Sequence, residues 1–290
     1  MVAHAGFDHL LIGAAAAVIV AVYGLAWARQ PGPVPWRLAC WVGGVVVVLV
    51  ASLPQVEALA EESFTGHMVQ HLLVIIVAAP LLVLARPVRT LGLAGWLPTA
   101  GRMGPAGRRA AGGWRTWAPI VGPLFFVAVL YVTHLTSIYD RALDDRLVHE
   151  LEHAAYLLGA VLTWSAVLGA GRASAVARVG AVFGVAAGGG LLGMVLLSAP
   201  TPLIPTYEAQ LGAVRALSDQ RSAAALMWVG GMLTTVPLLL IAVWRWASTE
   251  DRVARRAEAL RPLPPLRRAP AWTTDPASDP DATPDPALHG

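Results

Sequence analysis

The stretch HMVQHLLVIIVAAPLLVLAR, residues 67–86, decides the fold. His67, Gln70 and His71 stand at one end and Arg86 at the other; every residue between is apolar. At about 1.5 Å of rise per residue, such a helix matches the roughly 30 Å hydrocarbon core of a bilayer. Similar segments lie at about 10–28, 38–54, 117–136, 147–168, 176–198 and 223–246. The chain is therefore expected to be an all-α, polytopic membrane protein with seven transmembrane helices over residues 1–250. Residues 251–290 read as a tail, and from 262 its Pro-, Ala- and Asp-rich composition predicts disorder. Charged residues make up 13% of the chain and apolar ones 56%, against about 25% and 45–50% in soluble domains.

The basic residues are all arginine, and their placement orients the spans. Seventeen fall in the 1–2, 3–4 and 5–6 connections and the tail. Only Arg141, Arg146, Arg215 and Arg221 fall in the 4–5 and 6–7 connections. By the positive-inside rule the N-terminus is expected outside and the C-terminus in the cytoplasm. Eleven of the 18 acidic residues fall on the outer side, giving a face that suits cation attraction. The pI near 9.5 is thus a sorting of charge by membrane side, which argues against a nucleic-acid partner. The N-terminus lacks a basic n-region, which argues against a cleaved signal peptide. Cys40 is the single cysteine, so a disulfide framework, a Cys-x-x-Cys redox pair and a thiolate metal cage are excluded.

The histidines carry the functional signal. His289 is in the tail; His4, His9, His67, His71, His134, His149 and His153 fall in or near the outer ends of spans. His67 and His71 are four apart at the start of span 3, and His149 and His153 are four apart at the start of span 5. Residues i and i+4 share a helix face, so each pair can chelate one ion. The short 4–5 connection brings His134 to the depth of the second pair. Ionisable groups inside a bilayer are costly and usually functional. The expected metal ligands are His67, His71, His134, His149 and His153. These five exceed four donors, so either one stands outside the coordination sphere or two ions bind. A thiol-free, histidine-rich set favours copper or zinc, and copper binds such ligands most tightly. Acidification near the histidine pKa of about 6.5 would release the ion. Gln70, Tyr139, Glu152, Asp219, Gln220 and Met227 are candidates for supporting the ligands or meeting a partner; Asp140 and Glu150 could also bond ring nitrogens, and Met68, like Met227, could offer a thioether sulfur.

Two rival chemistries fit parts of this pattern. His149-Glu150-Leu151-Glu152-His153 matches H-x-x-E-H, in which two histidines hold zinc and the glutamate is general base. That makes a membrane-embedded zinc hydrolase an alternative, acting on protein or lipid. Facing histidines on two spans, His71 with His153 or His67 with His149, would also serve bis-His haem ligation.

The string from His67 to Leu73, with Pro80 downstream, resembles the first signature of the CtaG-type cytochrome c oxidase assembly factors, bacterial seven-span membrane proteins. Three further strings are similar to that family in order: His134 to Tyr139; His149 to His153 with Trp164; and Asp219-Gln220 with Met227-Trp228. Together they spread over roughly residues 64–246. Thr136 departs from the pattern, which leads one to expect proline there; His4, His9 and the tail fall outside the resemblance. The resemblance implies a non-enzymatic role in maturing the terminal oxidase at its copper, in the bacterial plasma membrane. It implies as partners the haem–copper oxidase subunits and a soluble copper donor.

Overall fold

The computed structural model describes residues 2–93, 105–168 and 175–259. All regular structure among them is helical. The tail expected to be disordered from 262, with His289, lies outside the described residues, as do Arg102 and Arg172 and the side chains of His4 and His9. The chain divides into a unit over Met1–Ala247 and one over Ser248–Gly290; the described part of the second is the end of a long helix.

The helices run in the order α1 (Val2–Ala28), α2 (Pro35–Ala51), α3 (Pro54–Glu62), α4 (Phe64–Leu72), α5 (Ala79–Leu84), α6 (Pro87–Thr90), α7 (Pro105–Leu135), α8 (Ile138–Asp144), α9 (Arg146–Leu168), α10 (Ala175–Ser198), α11 (Pro205–Leu211) and α12 (Ala213–Ala259). Among the described residues, four helical stretches are long and apolar enough to cross a membrane: Phe64–Thr90, Arg146–Leu168, Val176–Ser198 and Ala213–Ala259. The number rises to six if each bent pair is one span, α2 with α3 at 52° and Ile120–Leu135 with α8 at 75°. Ile12–Ala28 is a shorter apolar helix. Large apolar side chains on these helices face outward, Phe183 of α10 and Leu233 of α12 among them. That is the surface a bilayer covers.

The 2–3, 4–5 and 6–7 connections, read from sequence as loops, hold the short helices α3, α8 and α11. The reason is packing. Each buries one small or aromatic face, with Ala60, Tyr139 with Ala142, and Tyr207, while its charged residues stay at the rim. They are tied to one another: Tyr207 Oη donates to the Ala60 carbonyl at 2.6 Å. The backbone N–H and hydroxyl of Thr206 donate to Asp140 Oδ1 at 3.1 and 2.9 Å. Burial pushes the Tyr207 phenol up from its ordinary pKa.

Close approach is set by small residues. A Cβ on Gly66 would lie 2.1 Å from the Leu59 carbonyl oxygen, so α4 can leave α3 at this angle only with glycine there. In α10, Gly188 faces Val127 of α7 and Gly193 faces Met227 of α12. The break between α4 and α5 has a cause in the sequence. Leu73–Ala78 is π-helical, with the Ala79 N–H reaching back to the Val74 carbonyl. In that register the next donor, to Ile75, would be residue 80. Pro80 has no N–H. The Ile75 carbonyl is satisfied instead by Trp164 Nε1 at 2.9 Å. This bond pins α9 to the helix that carries the first histidine pair.

Candidate metal centre

Both histidine pairs hang from capped helix starts. Ser63 caps α4, its hydroxyl accepting from the Gly66 N–H at 3.0 Å. Asp219 of α12 joins it, accepting from the Phe64 N–H at 2.7 Å, the Thr65 N–H at 3.3 Å and the Thr65 hydroxyl. A carboxylate there also complements the helix dipole. Asp145 does the same for α9, its Oδ1 accepting from the Leu147 N–H at 2.8 Å. The first histidine of each pair lies four residues beyond its cap, and its N–H bonds the cap's carbonyl. His67 and His149 are therefore one turn below the helix start, and His71 and His153 two turns below.

The two helices bring these rings together. His67 Nε2 and His71 Nε2 are 3.1 Å apart. Across the interface, ring centroids are 5.7 Å apart for His67 and His149 and 5.0 Å for His71 and His153. Two donor groups result, each with ligand atoms all within 4.8 Å of one another: His67, His149 and His153; and His67, His71 and Glu152. His67 belongs to both. Metal–nitrogen bonds of about 2.0–2.1 Å, as in zinc sites, span gaps of this size.

Burial and hydrogen bonding show that these residues fit an ion. His67 and His71 are fully or almost fully buried, and the Nδ1 atom of each has no hydrogen-bond partner. His153 Nε2 and both oxygens of buried Glu152 also lack one. A buried carboxylate without hydrogen bonds is expensive unless a cation faces it or it takes up a proton. Glu152 Oε2 lies 3.8 Å from His67 Nε2, which carries charge only if protonated. Neutral imidazoles and one carboxylate form a donor set that copper or zinc accepts.

His134 stands outside both groups. Its Nδ1 donates to the Leu130 carbonyl at 2.9 Å, with Thr133 Oγ1 and Tyr156 Oη at 3.1 and 3.2 Å. Its Nε2 is buried and unpartnered. The other expected residues are spread between two tasks. Tyr139 lies against His67, ring centroids 4.7 Å apart. Gln70 donates to the Ala51 carbonyl at 2.8 Å and so holds α4 to α2. Asp219 is the cap of α4. Gln220 accepts from the Leu203 N–H at 2.7 Å and donates to the Leu196 carbonyl at 2.9 Å, fixing the turn out of α10. Met227 and Met68 are core residues, Met227 facing Gly193.

The sequence reading missed the aromatic wall. Tyr156 packs on His71 at 4.4 Å between ring centroids, and Phe64 packs edge-on to Tyr139 at 5.2 Å. Both are buried, and Tyr207 stacks on Phe64 with ring centroids 6.0 Å apart. Helical spacing held the signal: Tyr156 is three residues after His153, and Phe64 three before His67.

Residues 19–249 match the family model described as cytochrome c oxidase caa3 assembly factor (Caa3_CtaG). The chain is similar to uncharacterized proteins of Mycobacterium bovis and Mycobacterium tuberculosis, each 28% identical over 275 residues. Those alignments cover 87% of this chain and 40% of the relative. An uncharacterized protein of Mycobacterium leprae is 27% identical, with 87% of this chain and 41% of the relative covered. The chain thus spans about two-fifths of the length of these curated relatives. No solved structure matches it.

Proposed function

The chain belongs to the cytochrome c oxidase caa3 assembly factor family, and from that premise we propose that it holds copper on its histidine cluster and helps load it into the oxidase. The observation that carries this reading is the convergence of His67, His71, His149, His153 and Glu152, with unpartnered ligand atoms, within two overlapping groups. Copper here is cargo. The ion is held by neutral imidazoles, which can give it up to a stronger site on a partner. No catalytic nucleophile is required, and we read the protein as a metal carrier rather than an enzyme. Its partners would be the oxidase subunits that receive copper and a soluble donor that supplies it.

In this reading the protein crosses the bacterial plasma membrane seven times, with the N-terminus outside and the C-terminus in the cytoplasm. The distribution of arginine supports that orientation. It places the histidine cluster, with α3, α8 and α11 over it, at the outer face, where the oxidase subunits would receive the metal. His134 is kept as a ligand of a second ion or as a support for Tyr156.

The test is metal content of the detergent-purified protein, with an absorption spectrum on the same sample, beside a His71→Ala/His153→Ala double variant. Near-stoichiometric copper that the variant loses, with no Soret band, supports the proposal. Zinc in its place moves the function to a hydrolase, and a Soret band to a haem protein. No bound metal after exposure to copper overturns the reading.

The hydrolase reading keeps one observation in its favour, the buried Glu152 beside His67. The two readings part at Glu152→Gln. A hydrolase would keep its zinc and lose all turnover. The carrier instead keeps copper, held less tightly, and still supports oxidase assembly.

A further inference from the structure

A pocket between α3 and α8 leads to the histidines. Its charged and ligating lining is Glu57 and Glu61 from α3, Asp144 from α8, Arg146 and His149 from α9, and His67 from α4. Glu61 and Asp144 are exposed, Glu57 and His149 half-buried, and His67 has no exposed surface at all. These burials grade from solvent to the residue common to both donor groups. His67 Nδ1, at the deep end, has no hydrogen-bond partner. The guanidinium of Arg146 is shared with a carboxylate outside the pocket, Glu150 Oε1 at 4.0 Å. Three carboxylates and one partly neutralised cation leave the mouth negative. None of the three carboxylates belongs to a donor group.

We propose that this pocket is the route by which a hydrated metal cation reaches the cluster, with Glu57, Glu61 and Asp144 as steering charges. The proposal rests on the metal-carrying function above and adds its access path. A negative mouth with low-dielectric walls focuses the field and raises the local cation concentration. The carboxylates hold the cation through its water shell. His149, half-buried on the pocket wall, is the first imidazole it meets, and His67 lies beyond. Copper is thus passed inward from oxygen to nitrogen donors of rising affinity.

The experiment follows loading of the detergent-solubilised full chain with Cu2+ alone, by stopped-flow quenching of tryptophan fluorescence. Wild type is compared with the Glu57→Gln/Glu61→Gln/Asp144→Asn variant at low and high salt. The expected result is an association rate about 10-fold lower at low ionic strength, with the two proteins converging as salt is raised and with equal final stoichiometry. Arg146→Gln is expected to change the rate in the opposite direction, a gain that misfolding does not produce. Equal rates and equal salt dependence in wild type and the triple variant, or no gain in Arg146→Gln, would overturn the route. Lost stoichiometry in a folded triple variant would make the carboxylates ligands and overturn it too. Wild type that takes up no copper would overturn the carrier function itself, which is a separable outcome.

Discussion

The two histidine pairs sit at the same register of their helices and in different surroundings. His67 and His149 each lie four residues past a capping side chain, and His71 and His153 one turn deeper. Yet the pair on α4 is 0% and 2% exposed, while both histidines on α9 are half-buried. What differs is the cover. Behind α4 stand Tyr139 and Tyr156, which pack on its histidine rings, and the cap from Asp219. On α9, His149 lines the wall of the open pocket, which ends at His67 of the other pair. Register sets how deep a ligand lies along a helix; the neighbouring elements set whether water and ions reach it. A buried pair on α4 and a half-buried pair on α9 suit a carrier, which must both retain and exchange its cargo.

Removing the residue that joins the pairs is the largest way to break this comparison. His67 is in both donor groups, so His67→Ala leaves neither complete. Copper content should fall to background, a loss beyond the 10–100-fold that removing an outer hydrogen-bond partner of a ligand costs. His149→Ala leaves His67, His71 and Glu152 intact and should keep a measurable, weaker site. Titration of both variants against a chromophoric chelator checks the difference. Equal losses would mean that the pairs form one indivisible site.

Two contacts position the helices that carry the pairs, one between α9 and the α4–α5 break and one between α12 and the start of α4, and each can be cut without touching a histidine. Trp164→Phe removes the donor to the Ile75 carbonyl and leaves it unpaired beside Pro80. A buried carbonyl so exposed costs about 1–3 kcal/mol, which thermal unfolding in detergent would register. Asp219→Ala removes the cap of α4 at a cost of about 0.5–2 kcal/mol. Copper stoichiometry should survive both, with affinity lowered. Retained affinity in Asp219→Ala would show that Ser63 alone fixes the α4 end.

Much of this was legible in the sequence, and the limits have physical causes. The hydropathy of 67–86 and the i,i+4 histidines announced apolar helices long enough to cross a membrane and histidine pairs on shared helix faces, because both depend on local periodicity alone. Proline 80 and Trp164 were visible as motif residues, but their shared role depends on a carbonyl at Ile75 that only the π-helical register exposes. The short helices α3, α8 and α11 were read as loops because a helix of two turns has too few apolar positions to show a period. Asp219 and Gln220 stood out as candidates near the ligands. Both instead tie helix ends, since a carboxylate or amide serves a backbone N–H as readily as an imidazole. Glu152 was visible inside H-x-x-E-H, yet three-dimensional proximity groups it with His67 and His71 rather than with the histidines of its own motif.

His134 gives the smallest and sharpest prediction. It lies at the end of α7, at the depth the short connection implies, yet no donor group includes it. Its Nδ1–H is committed to the Leu130 carbonyl at 2.9 Å, which leaves Nε2 as its only ligand atom. A carbonyl partner on Nδ1 is how proteins orient ligating histidines, and His134 has that partner while standing outside both donor groups. His134→Asn should therefore leave the copper stoichiometry and affinity of the two groups unchanged. Its cost should be structural, about 1 kcal/mol for one exchanged hydrogen bond, and readable as a small drop in melting temperature. If copper falls instead by one equivalent per chain, His134 ligates a second ion.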